Sequence, residues 1–155
     1  MMNYERPDLL WYYRIDKYGI YVAALPDEDS EEKLKEISKK LKIKDYDNYH
    51  VTISYSKWGD LSYVPSNLTY SADCMEFDLF GEDKNVLVIR LASPELEARH
   101  ANLRNKGHRY DFPEYLPHVT ISENWDKELP DSSILYENNE PITLMFDTEY
   151  GEPLS

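Results

Sequence analysis

The pentapeptide His-Val-Thr-Ile-Ser occurs twice in this chain, at 50–54 and again at 118–122. The chain has four histidines, and two of them open these identical motifs. In an extended strand, residues alternate between faces, so His, Thr and Ser would share one face while Val and Ile face a core. Ser54 and Ser122 would then lie beyond each threonine, in a supporting role. Packing alone does not require the same polar residues twice, so the repetition indicates a functional site.

Two imidazoles held close together can perform acid–base chemistry near neutral pH, because histidine titrates there without special tuning. His50 and His118 are therefore the candidate acid–base pair. The hydroxyls of Thr52 and Thr120 could donate to the oxygens of a phosphate held between them. The motifs contain no carboxylate and no further ligand at metal-binding spacing, so the sequence predicts a site without metal or cofactor. A two-histidine metal site is the alternative.

The elements that would position these motifs can be read from hydrophobic periodicity, capping patterns and turn residues. A capping-box pattern at Asp29 and Glu32 opens the first helix, and Pro94 suits the first turn of the second. In chain order, the sequence predicts a strand at 19–25, a helix at 29–41, the first motif strand at 49–56, a hairpin of strands at 74–80 and 86–91, a helix at 94–106, the second motif strand from 118 and a final strand at 142–149.

This order contains an internal repeat, because strand, helix, loop and motif occur once from Gly19 and again from Val86. Such a duplication predicts a single α+β domain over 1–155, in which two βαβ-type lobes are related by a pseudo-twofold axis. The two motifs would meet at its centre. Residues 1–17 are rich in aromatic and charged side chains without a clear period, and we interpret them as a docked arm or lid.

The charge and cysteine content of the chain limit the classes of partner that it could bind and the compartment in which it could work. The formal charge is −13 and the pI is near 4.6, which argues against binding to long nucleic acid or to an anionic membrane, but not against a compact nucleotide. Cys74 is the single cysteine and is interpreted as a small strand residue in a reducing, intracellular protein. Of the remaining histidines, His100 shares a helix face with leucines and is expected to pack, whereas His108 is expected to be a solvated loop residue.

Two His-x-Thr tripeptides separated by most of a duplicated α+β domain resemble the two-histidine phosphoesterase superfamily, which includes the LigT-like RNA cyclic phosphodiesterases. Within it, the flanking sequences are similar to the phage anti-CBASS phosphodiesterases, which destroy the cyclic oligonucleotide signals of bacterial defence. The matching stretches span nearly the whole chain and are 18–23, 49–53, 110–122 and 149–154.

The resemblance implies a LigT-like fold, with central antiparallel sheets and outer helices. It also implies a monomeric, metal-independent enzyme in the host cytoplasm that cleaves the 3′–5′ bonds of cyclic di- or trinucleotides. By the same resemblance, Tyr18 closes on a base of the substrate, with Tyr21 as the alternative. Phe80 would stack on a base, although the family has a Trp there, and Glu149 would contact the nucleotide.

Two other functions remain open from the sequence. One is a LigT-like enzyme acting on RNA ends or 2′,3′-cyclic phosphates, which the strongly acidic composition disfavours. The other is a catalytically idle protein that sequesters a signalling nucleotide. Two intact His and Thr pairs favour turnover over sequestration, since binding alone needs no proton carriers.

Overall fold

The computed structural model describes residues 19–109 and 114–154. The predicted arm at 1–17 and the candidate residue Tyr18 lie outside these ranges. Within them, neither helix combines the length and the apolar character that crossing a bilayer demands. The elements are β1 (Ile20–Pro26), α1 (Glu28–Lys40), β2 (Val51–Ser56), β3 (Tyr70–Phe80), β4 (Val86–Ala92), α2 (Pro94–Asn105), β5 (His118–Ser122), a 3-10 turn (Ser132–Leu135), β6 (Tyr136–Glu137), β7 (Glu140–Pro141) and β8 (Thr143–Pro153).

The two predicted helices and six main strands are all present, so the α+β expectation is confirmed. β3 begins earlier than predicted, and β8 continues to Pro153, well past the predicted end of that strand. The 3-10 turn and the β6–β7 hairpin were not predicted. β8 is long because it has two partners, pairing first with β3 and then with β1, and this demand is not visible in its local hydrophobic pattern.

All six main strands are antiparallel to their neighbours and form a sheet that closes on itself in the order β1-β2-β5-β4-β3-β8. Each half of the sheet contains one strand–helix–strand unit, β1-α1-β2 or β4-α2-β5, whose two strands are direct neighbours. The order of strand, helix and motif strand therefore occurs in both halves. This arrangement brings the two motif strands, β2 and β5, side by side.

Each helix begins at a side chain that accepts a hydrogen bond from an otherwise unpaired backbone amide. Asp27 caps α1 by accepting from the amide of Ser30 at 2.8 Å, so the prediction that Asp29 opens the helix is wrong. Ser93 caps α2 by accepting from the amide of Leu96 at 3.1 Å, and Pro94 occupies the first turn as predicted.

Both helices pack their apolar side chains against one face of the sheet, and this face forms a continuous core. Leu34 and Ile37 come from α1, and Leu96 and Leu103 come from α2. The valines and isoleucines of both motifs belong to the same core. The polar motif residues must therefore lie on the opposite face, which we call the motif face.

The start of β1 lies so close to the end of β2 that only glycine fits there. Gly19 has a φ of +89°, and a Cβ atom would stand 2.3 Å from the carbonyl oxygen of Ser56. Gly107 also has a positive φ, of +103°, but no atom lies within 4 Å of the position that a Cβ would take. A side chain at Gly107 would therefore strain the backbone without a steric clash.

We therefore expect Gly19→Ala to lower the free energy of unfolding by roughly 1–3 kcal/mol more than Gly107→Ala. Both variants force alanine into a left-handed conformation, but only the first also pushes two strands apart. Urea denaturation of the two variants measures the difference. Equal losses would show that the β1–β2 approach adapts without cost.

Candidate active site

The two motif strands meet at one backbone pair, Val51 with Val119. Both valines are fully buried. Extending this antiparallel register by one residue on either side sets each histidine across from the threonine of the other motif. The polar motif residues are all partly exposed, as the alternation predicts: His50, Thr52, His118 and Thr120. The structure thus brings together the four predicted catalytic residues on one face.

Each motif contains a β-bulge at its isoleucine. On β2, Thr52 and Ser54 pair with consecutive residues of β1, so Ile53 is the extra residue. On β5, Thr120 and Ser122 pair with consecutive residues of β4, so Ile121 is extra. An extra residue reverses the alternation of faces beyond it. The expectation that Ser54 shares the histidine face is therefore wrong, because Ser54 is fully buried, whereas Ser122 is partly exposed at the end of β5.

Both imidazoles of the candidate site are oriented by the same kind of hydrogen bond. Nδ1 of His50 lies 2.8 Å from the carbonyl oxygen of Asn48, and Nδ1 of His118 lies 2.8 Å from that of Leu116. A carbonyl oxygen only accepts, so each Nδ1 carries the proton. Each Nε2 is then the atom that gains or loses a proton during a reaction, as an acid–base pair requires.

His118 is surrounded by groups that together favour its neutral form. Burial is the main cause that lowers its pKa, and the charges of His50 and Arg90 lower it further, whereas the hydrogen bond to Leu116 acts in the opposite direction. The ring of Phe80 packs edge-on against the imidazole, with ring centroids 4.6 Å apart. The structure therefore places Phe80, the predicted base-stacking residue, directly beside a candidate catalytic histidine.

Tyr21 lies on the motif face beside the first histidine. Its hydroxyl is 2.8 Å from Oγ1 of Thr52, and its ring centroid is 6.3 Å from that of His50. Burial raises the pKa of Tyr21, as does the charge of Glu152, while the bond to Thr52 lowers it, so the net shift is upward. The phenol therefore stays protonated at neutral pH and can donate a hydrogen bond to a substrate or to Thr52.

Glu149, the predicted nucleotide contact, lies on the core face rather than with the histidines. Its partner on β1 is Ala24, a core residue, whereas the next residue, Tyr150, pairs with Ala23. Ala23 in turn pairs with Thr52, so Tyr150, Ala23 and Thr52 are successive partners across three neighbouring strands and share the motif face. A bulge at Asp147 in β8 produces this arrangement by reversing the alternation before Glu149.

The carboxylate of Glu149 is the centre of a buried polar cluster. It accepts from the hydroxyls of Tyr63 at 2.8 Å and Tyr70 at 2.7 Å, and from the amide of Ser66 at 2.9 Å. Arg99 of α2 donates twice, at 2.9 and 2.8 Å. Burial alone would raise the pKa of Glu149, but the bonds from Arg99, Tyr70, Ser66 and Tyr63 lower it overall. This cluster ties the loop between β2 and β3 to α2 and β8.

Three further residues pair with residues of the candidate site or lie close to them along a strand, and no sequence pattern predicted them. Arg90 of β4 is the direct pairing partner of His118. Glu152 of β8 is the pairing partner of Tyr21, and Tyr150 is two residues before it. Register alone identifies these residues, since no local sequence pattern marks them. The available signal was that Tyr150 and Glu152 fall within the C-terminal stretch that carries the family resemblance.

The other two histidines support the site from the core side. His100 is buried, stacks on Tyr115 at 4.3 Å and places Nδ1 2.7 Å from the carbonyl oxygen of Ile53, so its predicted packing role is confirmed. The hydroxyl of Tyr115 donates to the carbonyl oxygen of Thr52 at 2.7 Å. The stacked pair thus holds two consecutive carbonyls at the bulge of the first motif.

His108 differs from its prediction as a solvated loop residue. It is 3% exposed, and its Nε2 lies 2.8 Å from Oδ2 of Asp60 in the loop between β2 and β3. Its Nδ1 is 3.4 Å from Oγ of Ser54, the serine that the bulge turns inward. Across residues 19–109 and 114–154, no three His, Cys, Asp or Glu side chains are grouped so as to hold a metal ion.

Comparisons with known proteins identify relatives that cover most of this chain. A family model described as anti-CBASS protein Acb1 matches residues 18–155. The anti-CBASS protein Acb1 of Enterobacteria phage T4 is 31% identical over 141 residues, which is 88% of this chain and 88% of that protein. The protein of the same name from Vibrio phage KVP40 is 32% identical over 112 residues, covering 70% of this chain and 74% of the relative.

Because Glu149 neutralises the partly buried Arg99, we expect Glu149→Gln to lower the free energy of unfolding by roughly 1–3 kcal/mol, the usual cost of removing one partner of a largely buried hydrogen-bonded pair. The lowered pKa means that the carboxylate stabilises the fold above its ordinary value of 4.5 and that this contribution is lost as the pH falls. Urea denaturation at several pH values should therefore show that the variant loses less stability than the wild type as the pH falls. Unchanged stability with lost activity would instead indicate a substrate contact.

Proposed function

We propose that this chain, which belongs to the anti-CBASS protein Acb1 family, is a metal-independent two-histidine phosphodiesterase that opens cyclic di- and trinucleotide signals. The observation that supports this most directly is the pair of imidazoles on one face, each with its Nδ1 proton held by a backbone carbonyl two residues earlier. That arrangement would supply two proton carriers that both act through the same atom, Nε2.

The reaction we propose uses the 2′-OH of the substrate as the nucleophile. One histidine accepts the 2′-OH proton at Nε2 while a bond forms between O2′ and the adjacent phosphorus. The other histidine donates its Nε2 proton to O5′ as the P–O5′ bond breaks. The linearised product carries a 2′,3′-cyclic phosphate, which water then opens to a 3′-phosphate by the same proton transfers in reverse. An internal hydroxyl already near its phosphate provides the proximity that such a step needs.

The two threonines have a different part in this scheme. The hydroxyls of Thr52 and Thr120 lie across from the histidines and can donate to the non-bridging phosphate oxygens, where charge grows as the fifth bond to phosphorus forms. The hydroxyl of Tyr21 is within hydrogen-bond distance of Oγ1 of Thr52. By donating to Oγ1, it can orient the Thr52 hydroxyl so that its hydrogen points to a phosphate oxygen. Phe80 and Tyr21 flank the two histidines and offer aromatic surface to the bases.

The substrate class follows from charge and size. With a net charge of −13, the surface repels a long polyanion but does not prevent a compact cyclic nucleotide from entering a site with local donors. The proposal includes a LigT-like fold, a monomer and action in the cytoplasm of a phage-infected host. The competing idea of simple sequestration leaves the paired Nε2 atoms without a purpose, because binding needs no proton transfer.

His50→Ala and His118→Ala should each reduce turnover of a cyclic dinucleotide by about 10²–10⁴-fold, the usual contribution of a positioned acid or base. Substrate binding and the urea midpoint should change little, because both side chains lie on the partly exposed motif face. Ser122→Ala is the matched control in the same motif, beyond the bulge, and should keep activity within about threefold. Losses below about tenfold for either histidine would contradict paired roles.

A second experiment separates internal attack from metal-assisted hydrolysis. A ribose cyclic dinucleotide should be cleaved in EDTA, while its 2′-deoxy analogue should bind but resist cleavage, because the nucleophile is missing. Chromatography of products and calorimetry of binding measure the two effects. Rapid cleavage of the deoxy analogue would indicate attack by water, and activity lost in EDTA but restored by a divalent ion would show that the histidines are metal ligands.

A further inference from the structure

The two halves of the site have identical motifs but different neighbours. On β4, Arg90 is the direct pairing partner of His118. The equivalent place on β1, beside His50, is one residue past the last β1–β2 pair and is occupied by Leu25. The duplication therefore gives one histidine a cationic neighbour and the other an aliphatic one.

Arg90 is held in this place by β3. Its Nη1 lies 3.3 Å from Oε1 of Glu76, and the two residues are also backbone pairing partners. The Arg90 side chain is 27% exposed and that of Glu76 is 50% exposed, so solvent weakens the pair and the carboxylate offsets only part of the guanidinium charge felt by His118. The guanidinium is thus a fixed positive charge on the strand next to His118.

Phe80 adds to the difference between the halves. Its ring packs edge-on against His118 at a centroid distance of 4.6 Å, whereas the aromatic neighbour of His50 is Tyr21, at 6.3 Å and with a polar hydroxyl. An apolar ring in contact with an imidazole excludes water, which disfavours the charged form of the imidazole.

We propose that Arg90 and Phe80 make the two histidines chemically unequal, so that His118 is the general base and His50 is the general acid of strand cleavage. This assignment rests on the function proposed above. His118 takes the 2′-OH proton at Nε2 as the O2′–P bond forms. His50 delivers its Nε2 proton to O5′ as the P–O5′ bond breaks, so both transfers balance within one step.

The protonation of His118 agrees with this assignment. Its pKa is lowered, first by burial and then by His50 and Arg90, against the opposing hydrogen bond to Leu116. Among the described residues, the charged or titratable groups that bear on its imidazole are Arg90 from β4, with Glu76 of β3 behind it, and His50 beside β2. A base must be unprotonated before it acts, and a cationic neighbour favours that state.

The assignment is tested with a cyclic dinucleotide in which sulfur replaces O5′ at the scissile bond. A thiolate leaves without protonation, so this substrate does not need the general acid. With the sulfur substrate, His50→Ala should recover most of its roughly 10²–10⁴-fold deficit, whereas His118→Ala should stay impaired. The reverse pattern, or equal recovery of both variants, would overturn the assignment.

The role of Arg90 is tested by the pH dependence of kcat/KM. Arg90→Met removes the charge and should move the acidic limb to higher pH, while Arg90→Lys keeps the charge and should leave it near that of the wild type. Glu76→Gln removes the opposing carboxylate and should move the same limb to lower pH. These opposite directions separate an electrostatic role from a structural one, which would reduce activity without moving the limb.

These outcomes separate the assignment from the proposed function. If the wild-type protein cleaves neither the oxygen nor the sulfur substrate, the phosphodiesterase function itself is wrong. If it cleaves both while the rescue pattern is reversed, the function stands and only the assignment falls. If Arg90→Met does not fold, the Glu76→Gln profile decides the electrostatic role, and an unmoved limb there would overturn it.

Discussion

The backbone pairing of Val51 with Val119 is the constraint on which the geometry of the candidate site depends. It is the one backbone pair between the two motif strands in the described part of the chain, and it closes the sheet. Because both valines are fully buried, a slip of one residue would turn the imidazoles into the core and the valines into solvent. The apolar side chains therefore fix which polar side chains meet, and His100 with Tyr115 secures the neighbouring bulge by binding its carbonyls.

A second constraint acts from the other side of the sheet. β8 pairs with strands of both halves, and the bulge at Asp147 turns Glu149 towards α2 instead of towards the motif face. The resulting ion pair with Arg99 costs desolvation, but the surrounding tyrosine hydroxyls and a backbone amide satisfy the carboxylate. Gly151 is required beside it, since a Cβ there would stand 2.5 Å from the ring of Tyr63. The buried cluster thereby fixes a long loop next to the candidate site.

The sequence was sufficient to predict the two helices, the six main strands and the shared face of the four polar motif residues, because repetition and alternation are local patterns. It failed where one extra residue changes the alternation. In β8, Leu144 and Phe146 are buried, so regular alternation would predict that Glu149 faces away from the core. In β2, regular alternation would place Ser54 on the same face as Thr52, yet Ser54 is buried. Both predictions of face require knowing where a bulge lies, and a bulge depends on pairing with another strand. His108 was missed for a related reason, since its partner, Asp60, is distant in the chain.

Duplication creates a chemical problem as well as a site. The proposed strand cleavage would require one imidazole that is unprotonated and another that is protonated, yet a repeated motif supplies two identical imidazoles with equivalent Nδ1 bonds. The motifs therefore cannot contain the difference between acid and base. In the proposed assignment the difference comes from the adjoining strands, which carry Arg90 on one side and Leu25 on the other. A charge one strand away can bias a protonation equilibrium without entering the space that a phosphate must occupy. In a site of this kind, the repeated residues make the reaction possible and the unrepeated neighbours give it a direction.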